Sequence, residues 1–365
     1  MAEPRPKQKQ SIRYLRTRDG VRLAWAEAGE GPPLVKAANW LTHLEYEWDS
    51  PVWRHWMTFF SGRFRFIRYD ERGCGLSDCP LGDLTVEHWL ADLEEVIAAA
   101  EPDRPVVLLG ISQGAAAAIA YAVRHPDRVS HLILYGGYAQ GAAHRGGRAE
   151  QERHRAMVQL ARYGWASDNP TFRQVFTSRF IPGGSDEQLR WFNELCRKTI
   201  SAENAARLLE MRSTIDVRDL LPRIRTPTLV LHARGDEVIP LAQGRLLATE
   251  IPDAEFVELD SRNHVLLEDE PAWRRFREAL ADFTGVGGEP AGEAVGEDEA
   301  FAELSPRECE VLALVAEGLS NAEIAGRLAI SDKTVRNHLS HVFDKLGVST
   351  RAQAIVFARD RGFSG

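Results

Sequence analysis

Between residues 12 and 283, short apolar runs alternate with longer stretches whose large side chains recur every three or four positions. The runs FRFIRYD (64–70), PVVLLG (105–110), HLILYGG (131–137), TLVLHA (228–233) and EFVELD (255–260) are rich in β-branched or large apolar residues, which predicts strands. TVEHWLADLEEVIAAAE (85–101) instead places Trp89, Leu90, Leu93 and Val96 on one face, which predicts a helix. This alternation predicts an α/β architecture with a mostly parallel sheet covered by helices on both faces. Residues 139–221 break the rhythm. They read as helices only, with Phe172, Phe176 and Phe180 at four-residue spacing, and predict an insertion over the C-terminal edge of the sheet, where ligands of such folds bind.

VVLLGISQGAAAAIAYAV (106–123) holds no charge in eighteen positions. That length is the minimum for a membrane span, and Ser-Gln-Gly lies at its centre, so no membrane helix is predicted. The stretch reads instead as a buried strand, a tight turn and a small-residue helix. Gly110-Ile111-Ser112-Gln113-Gly114 forms the turn as G-x-S-x-G, in which side chains at 110 or 114 would collide with their neighbours while Ser112 takes a strained backbone angle. A nucleophilic serine needs a base and a carboxylate to orient it. In the order serine, carboxylate, histidine, Asp236 follows one strand-like run (LVLHARGDEVIP) and His264 follows the next (EFVELDSRNHVLLEDEP). The candidate catalytic set is therefore Ser112, Asp236 and His264, with Glu237 and Asp260 read as solvated loop carboxylates.

Composition changes the picture at the C-terminal end. The net charge is −8, and residues 284–300, TGVGGEPAGEAVGEDEA, contribute five acids and no base. Such a Gly/Glu-rich stretch cannot bury enough apolar surface to offset chain entropy, so it predicts a flexible acidic linker. Beyond it, residues 301–365 balance eight bases against eight acids, yet residues 333–361 hold six bases and two acids. A local basic face points to an anionic partner at that end. The four cysteines (74, 79, 196, 309) form no C-x-x-C pair, and neither a metal site nor a cofactor motif is read. No apolar segment follows the first ten residues, so the reading is a cytoplasmic protein without a membrane anchor.

The tail itself reads as four short helices. Ser305 with Glu308 forms a capping box before the first, and Ser320 with Glu323 repeats it before the second, giving a helix-turn-helix pattern. On the third helix, Ser331 to Lys345, a wheel at 100° per residue gathers Val335, Leu339, Val342 and Leu346 into a buried stripe. Lys333, Arg336, Asn337 and Ser340 fall opposite and suit a major groove; Lys345 and Arg351 suit phosphate contacts.

Residues 12–283, including RYDERGCGLSD (68–78), resemble the α/β-hydrolase superfamily, and more narrowly the hydrolase-like modules that bacteria fuse to transcription-factor or cyclase domains. The resemblance implies a hydrolase core at 12–138 and 222–283, a helical cap at 139–221, and a disordered tail at 1–11. Where many family enzymes have His-Gly, this chain has Ala38-Asn39 before Trp40, so the implied oxyanion donors are the backbone N–H groups of Gln113 and Trp40. Asn39 adopts unusual backbone angles less readily than Gly, which leaves turnover open. Trp40, His43, Trp165, Phe172, Phe176 and Trp191 are the candidate pocket residues. They predict a largely apolar site for a small hydrophobic ester, lactone, amide or acyl compound.

LSPRECEVLALVAEGLSNAEIAGRLAISDKTVRNHLSHVFDKLGV closely resembles the LuxR-type (NarL/GerE-like) DNA-binding domain. The resemblance implies double-stranded DNA as partner, met by Lys333, Thr334, Arg336, Asn337 and Ser340. It also implies a homodimer through the helix from Arg351 to Asp360, a two-fold operator, and RNA polymerase as a further partner. The whole chain, with the tail spanning 301–365, thus reads as a regulator whose hydrolase-like domain senses a small-molecule ligand. The alternative is a serine hydrolase carrying a DNA-binding domain, and a third reading joins them in a sensor that cleaves its own inducer.

Overall fold

The computed structural model describes residues 9–78, 82, 84–286, 304–316, 318–328, 330–346, 348 and 350–360. The chain forms two compact units, Met1–Val286 and Gly287–Gly365.

The first unit is built on eight strands: β1 (Ser11–Arg16), β2 (Arg22–Ala28), β3 (Pro33–Ala37), β4 (Arg65–Tyr69), β5 (Val106–Ile111), β6 (Val129–Tyr135), β7 (Thr228–Ala233) and β8 (Glu255–Leu259). They form one sheet in the order β1-β2-β4-β3-β5-β6-β7-β8. The pairs β1·β2 and β2·β4 are antiparallel, and every later pair is parallel. Five of these strands match the apolar runs. The first three did not stand out, because β1 is a mostly exposed edge strand and β2 reads RLAWAEA, whose alanines carry little pattern.

Among the described residues ten α-helices accompany the sheet: α1 (Leu44–Trp48), α2 (Arg54–Ser61), α3 (Val86–Ala100), α4 (Gly114–Arg124), α5 (Arg148–Gly164), α6 (Thr171–Phe180), α7 (Asp186–Thr199), α8 (Ala202–Ser213), α9 (Leu241–Glu250) and α10 (Pro271–Thr284). Every residue of β5 is buried, and so is α4 from Gly114 to Ala122, which permits the close helix–sheet approach its small side chains imply. Helices α5–α8 make the insertion. Its two ends are pinned together by Gly141 N–H to Ile215 O (2.8 Å) and Val217 N–H to Ala139 O (2.9 Å). An aromatic cluster of Trp56, Tyr135, Trp273 and Phe276 fills the core under the loop that carries His264.

Two expected boundaries shift. Ser11 already belongs to β1, so the N-terminal tail is shorter than 1–11, and its first eight residues lie outside the described ones. Thr284 closes α10, with Gly285 in the left-handed region as its cap, so helix extends into the expected linker; 287–300 lie outside the described residues. None of the helices among the described residues is long and apolar enough to cross a membrane.

The second unit holds α11 (Pro306–Ala316), α12 (Asn321–Leu328), α13 (Asp332–Leu346) and α14 (Arg351–Asp360). Two small apolar clusters hold it, one joining Leu312, Val342 and Ala354, the other Val315, Ile324, Val335 and Leu339.

Candidate active site and nucleic-acid interface

At the turn between β5 and α4, Ser112 sits at φ +53°, in the left-handed region that non-glycine residues rarely adopt. Both flanking glycines are required by space. A Cβ at Gly110 would lie 2.7 Å from Ala115 Cα, and one at Gly114 would lie 2.9 Å from Ala38 O. The strained serine is held because its N–H donates to Tyr135 O (3.0 Å) and α4 is packed too tightly to relax.

Asp236 Oδ2 meets His264 Nδ1 at 2.6 Å, and its other oxygen accepts the N–H groups of Val238 (2.8 Å) and Ile239 (2.9 Å). Burial works against the Asp236 charge, but His264 and these backbone donors outweigh it and hold the carboxyl below its ordinary value. His264 is fixed from three sides. Its N–H donates to Phe180 O at the end of α6 (2.8 Å), its C=O accepts from Tyr135 Oη (2.9 Å), and its ring meets Phe180 edge-on at 5.3 Å. Its Nε2 is buried and makes no hydrogen bond, so the relay to Ser112 is open among the described residues. Such contacts often tighten only with ligand bound.

A second histidine, His232, is fully buried 3.7 Å from Asp236 Oδ2 and binds Ile239 O (2.9 Å). Burial pushes its pKa down, so it is a neutral support for the Asp236 loop. Its i, i+4 spacing to Asp236 was the available sequence signal.

The two oxyanion candidates differ. The N–H of Gln113 opens α4, but the N–H of Trp40 donates to the side-chain carbonyl of Gln113 itself (Oε1, 2.9 Å). The Trp40 N–H is thus engaged by a side-chain amide oxygen, whereas an oxyanion hole needs such a donor free for the substrate. Gln113 Nε2 reaches back to Ala38 O (3.4 Å). Asn39 is tied down as well: its Oδ1 accepts from the buried Lys36 ammonium, and its Nδ2 donates to Trp40 O (3.3 Å). Burial lowers the Lys36 pKa to about 8.

Ser112, Gln113, Trp40 and Asp236 line one chamber of about 670 Å³. Most of its lining surface is apolar, as expected, but charged side chains reach it as well. Arg145, Arg153, Arg179 and Arg212 line it, against Glu150 and Glu237, with Tyr138, Met157, Phe176, Phe180 and Leu209 as its apolar part. Of the six aromatic pocket candidates, Trp40 and Phe176 line this space, while His43, Trp165, Phe172 and Trp191 do not. His43 is spent as the N-cap of α1, accepting from Tyr46 N–H. Trp165 is buried behind the wall, donating to Cys196 O (2.9 Å) and packing on Trp40 and Phe176. Trp191 stacks on Tyr46 at 5.0 Å, and Phe172 faces solvent. The four arginines were not singled out from the sequence, since arginines in a helical insertion read as an ordinary solvated face.

On α13, Val335, Leu339, Val342 and Leu346 are buried, and Lys333, Arg336, Asn337 and Ser340 are exposed. Arg336 pairs with Asp332 (2.6 Å), and Ser331 caps the helix through Thr334, accepting its N–H at 3.1 Å. The two phosphate candidates are engaged inside the unit instead. Lys345 Nζ binds Glu308 Oε2 (2.7 Å), while Arg351 donates to Asn321 Oδ1 (3.0 Å) and to Leu319 O, tying α14 to the turn before α12.

Residues 58–271, more than half of the chain, match the family described as serine aminopeptidase, S33, and residues 302–358 match that of bacterial regulatory proteins, luxR family. The chain belongs to the S33 family of α/β hydrolases and ends in a luxR-family DNA-binding domain.

Relatives follow the same division. The AB hydrolase superfamily protein YisY of Bacillus subtilis is 28% identical over 254 residues, 69% of this chain and 91% of its own. A crystal structure of a hydrolase from Pseudomonas aeruginosa PA01 superposes with a TM-score of 0.61 at 27% identity, covering 75% of this chain and 98% of that one. The probable HTH-type transcriptional regulator GfsR of Streptomyces halstedii is 51% identical over 53 residues, 14% of this chain and 22% of its own, within the luxR-family domain. Hydrolase fold and DNA-binding domain therefore share one polypeptide in this α/β hydrolase.

Proposed function

We propose that this protein is a transcriptional regulator whose hydrolase-fold domain senses a small ester, lactone or acyl ligand at Ser112. The observation that carries the reading is the hydrogen bond from Trp40 N–H to Gln113 Oε1 (2.9 Å). A site poised for rapid turnover presents its oxyanion donors unoccupied. Here one of the two is filled by the neighbouring side chain, within a chamber large enough for a ligand. The resting site is therefore built to hold an acyl compound rather than to turn it over quickly, and holding it is what a sensor requires. Lys333, Thr334, Arg336, Asn337 and Ser340 would contact double-stranded DNA, with the protein acting as a homodimer on a two-fold operator. A ligand shifts the DNA-bound state only by its differential affinity for the two conformations.

A second reading, an active serine hydrolase, is favoured by the 2.6 Å contact between Asp236 and His264. The two separate on a simple assay. Full-length protein is treated with a fluorophosphonate and, separately, with p-nitrophenyl butyrate, with Ser112→Ala as control. The sensor reading expects Ser112-dependent labelling and turnover below the usual enzyme range of about 1–10³ s⁻¹. Turnover within that range, lost in Ser112→Ala, establishes the hydrolase reading instead. Absence of labelling removes Ser112 from both.

A further inference from the structure

We propose that the chamber is built for a carboxylate-bearing ligand, whose acyl carbonyl lies at Ser112 and whose carboxylate is held by Arg212 beside Trp40; this rests on the chamber being the ligand site.

Arg212, in the last turn of α8, is 5% exposed and lines the chamber with Ser112. Its Nη2 is paired with Glu71, a buried carboxylate in the turn after β4 that does not line the chamber. Its Nε and Nη1 make no hydrogen bond, which leaves three guanidinium N–H groups buried without an acceptor. The Trp40 indole Nε1 is also buried and without a partner, and the Arg212 guanidinium lies 4.7 Å from the Trp40 ring centre. Unmade donors in a buried site are strongly unfavourable unless something fills them. Glu71 Oε1, on the carboxylate already paired with Arg212, is likewise without a partner but does not line the chamber; the vacant groups of the chamber-lining residues Arg212 and Trp40 all donate, so the partner they lack is an acceptor. A carboxylate supplies two oxygens and forms the strongest such bonds with a guanidinium.

Four arginines line the chamber with the carboxylates of Glu150, Asp236 and Glu237, and Glu71 pairs with Arg212 from outside the lining, so the charges balance and a further carboxylate is drawn by the vacant donors. Arg145 is neutralised by Glu150 (3.0 Å) and Arg212 by Glu71, and Arg179 donates to the backbone carbonyl of Glu237. Arg153 makes no ion pair among the described residues. Arg212 thus offers the chamber a group for a carboxylate, and Ser112 and Gln113 offer it one for the reacting carbonyl.

The test is calorimetric binding to the full chain carrying Ser112→Ala, which prevents hydrolysis of the probes. Monomethyl adipate and dimethyl adipate differ only in presenting one free carboxylate or none. Monomethyl adipate is expected to bind roughly tenfold or more tightly. Arg212→Gln alone strands Glu71 and could unfold the chain, so the deciding variant is Arg212→Gln with Glu71→Gln, which removes the pair together. In it the preference for the free carboxylate should vanish while dimethyl adipate still binds. Equal binding of the two esters to the parent, or a preference surviving in the double variant, overturns the proposal and leaves the chamber as the ligand site. Binding of neither ester overturns both.

Discussion

At the elbow the backbone decides what the side chains can do. Adding a methyl group at Gly110 would place it 2.7 Å from Ala115 Cα, inside a fully buried strand–helix junction. Gly110→Ala is therefore expected to destabilise the hydrolase unit by about 1–3 kcal/mol, as overpacking does, read as a lower thermal midpoint. Three residues further on, Gln113 is the proposed control on the reactivity of Ser112. Gln113→Met keeps volume and backbone N–H but removes the carbonyl that occupies Trp40 N–H. It should raise the rate of Ser112 phosphonylation and p-nitrophenyl butyrate hydrolysis roughly tenfold or more, since one oxyanion donor contributes about 10²–10³ in a well-studied case. An unchanged or lower rate would mean that the Gln113 carbonyl does not obstruct the site. The proposed set Ser112, Asp236 and His264 could be picked out of the sequence because a local motif and its order mark them, and the structure joins Asp236 to His264. The Gln113–Trp40 bond could not. It joins residues 73 positions apart, and nothing in the local pattern of either announces it.

Among the helices, periodicity was informative wherever one face alone is buried. On α13 the stripe Val335, Leu339, Val342 and Leu346 is buried as its spacing predicts. On α6 the spacing misled, because a four-residue repeat advances 40° beyond a full turn at each step. From Phe172 to Phe180 the side chains swing through 80°, so Phe172 faces solvent, Phe176 is buried and Phe180 meets His264. The register of the last turn matters most, because Phe180 O accepts the His264 N–H and ties α6 to the loop that carries His264. In the second unit, Glu308 joins α11 to α13. The ammonium of Lys345 and the backbone N–H of Ser305 hold its carboxyl down at about 2, well below the ordinary value near 4.5. The folded pKa is depressed, so the stabilisation is fully present above pH 4.5 and is lost as pH falls toward 2. Thermal unfolding of Glu308→Gln should show a deficit against the parent chain at pH 6 that shrinks steadily below pH 4.5. A deficit independent of pH would show that the charge of Glu308 does not hold the helices together.

On the scale of the molecule, two chemistries are separated along the chain. The hydrolase unit carries the chamber, an acidic stretch at 284–300 follows, and the basic face lies at 333–361. The domain order and the DNA-binding class were legible because the tail is a compact pattern of caps and apolar positions. The arginines of the chamber were not, because they depend on which faces of the cap helices α5, α6 and α8 turn inward. For DNA, Arg336 is exposed and, among the described residues, held by Asp332 on its own helix (2.6 Å). Arg336→Ala should weaken binding to a duplex enriched by in vitro selection by about 1–3 kcal/mol. Lys345→Ala should leave the salt dependence of binding almost unchanged, because its ammonium is engaged with Glu308 (2.7 Å). The most direct test of the regulator account couples the two ends. Anisotropy of a labelled, selected duplex is followed with full-length protein before and after fluorophosphonate modification of Ser112. The account predicts that the adduct shifts DNA affinity about fivefold or more, and that the same reagent leaves Ser112→Ala unaffected. Identical affinity for modified and unmodified protein, or no duplex bound above random DNA, would contradict it.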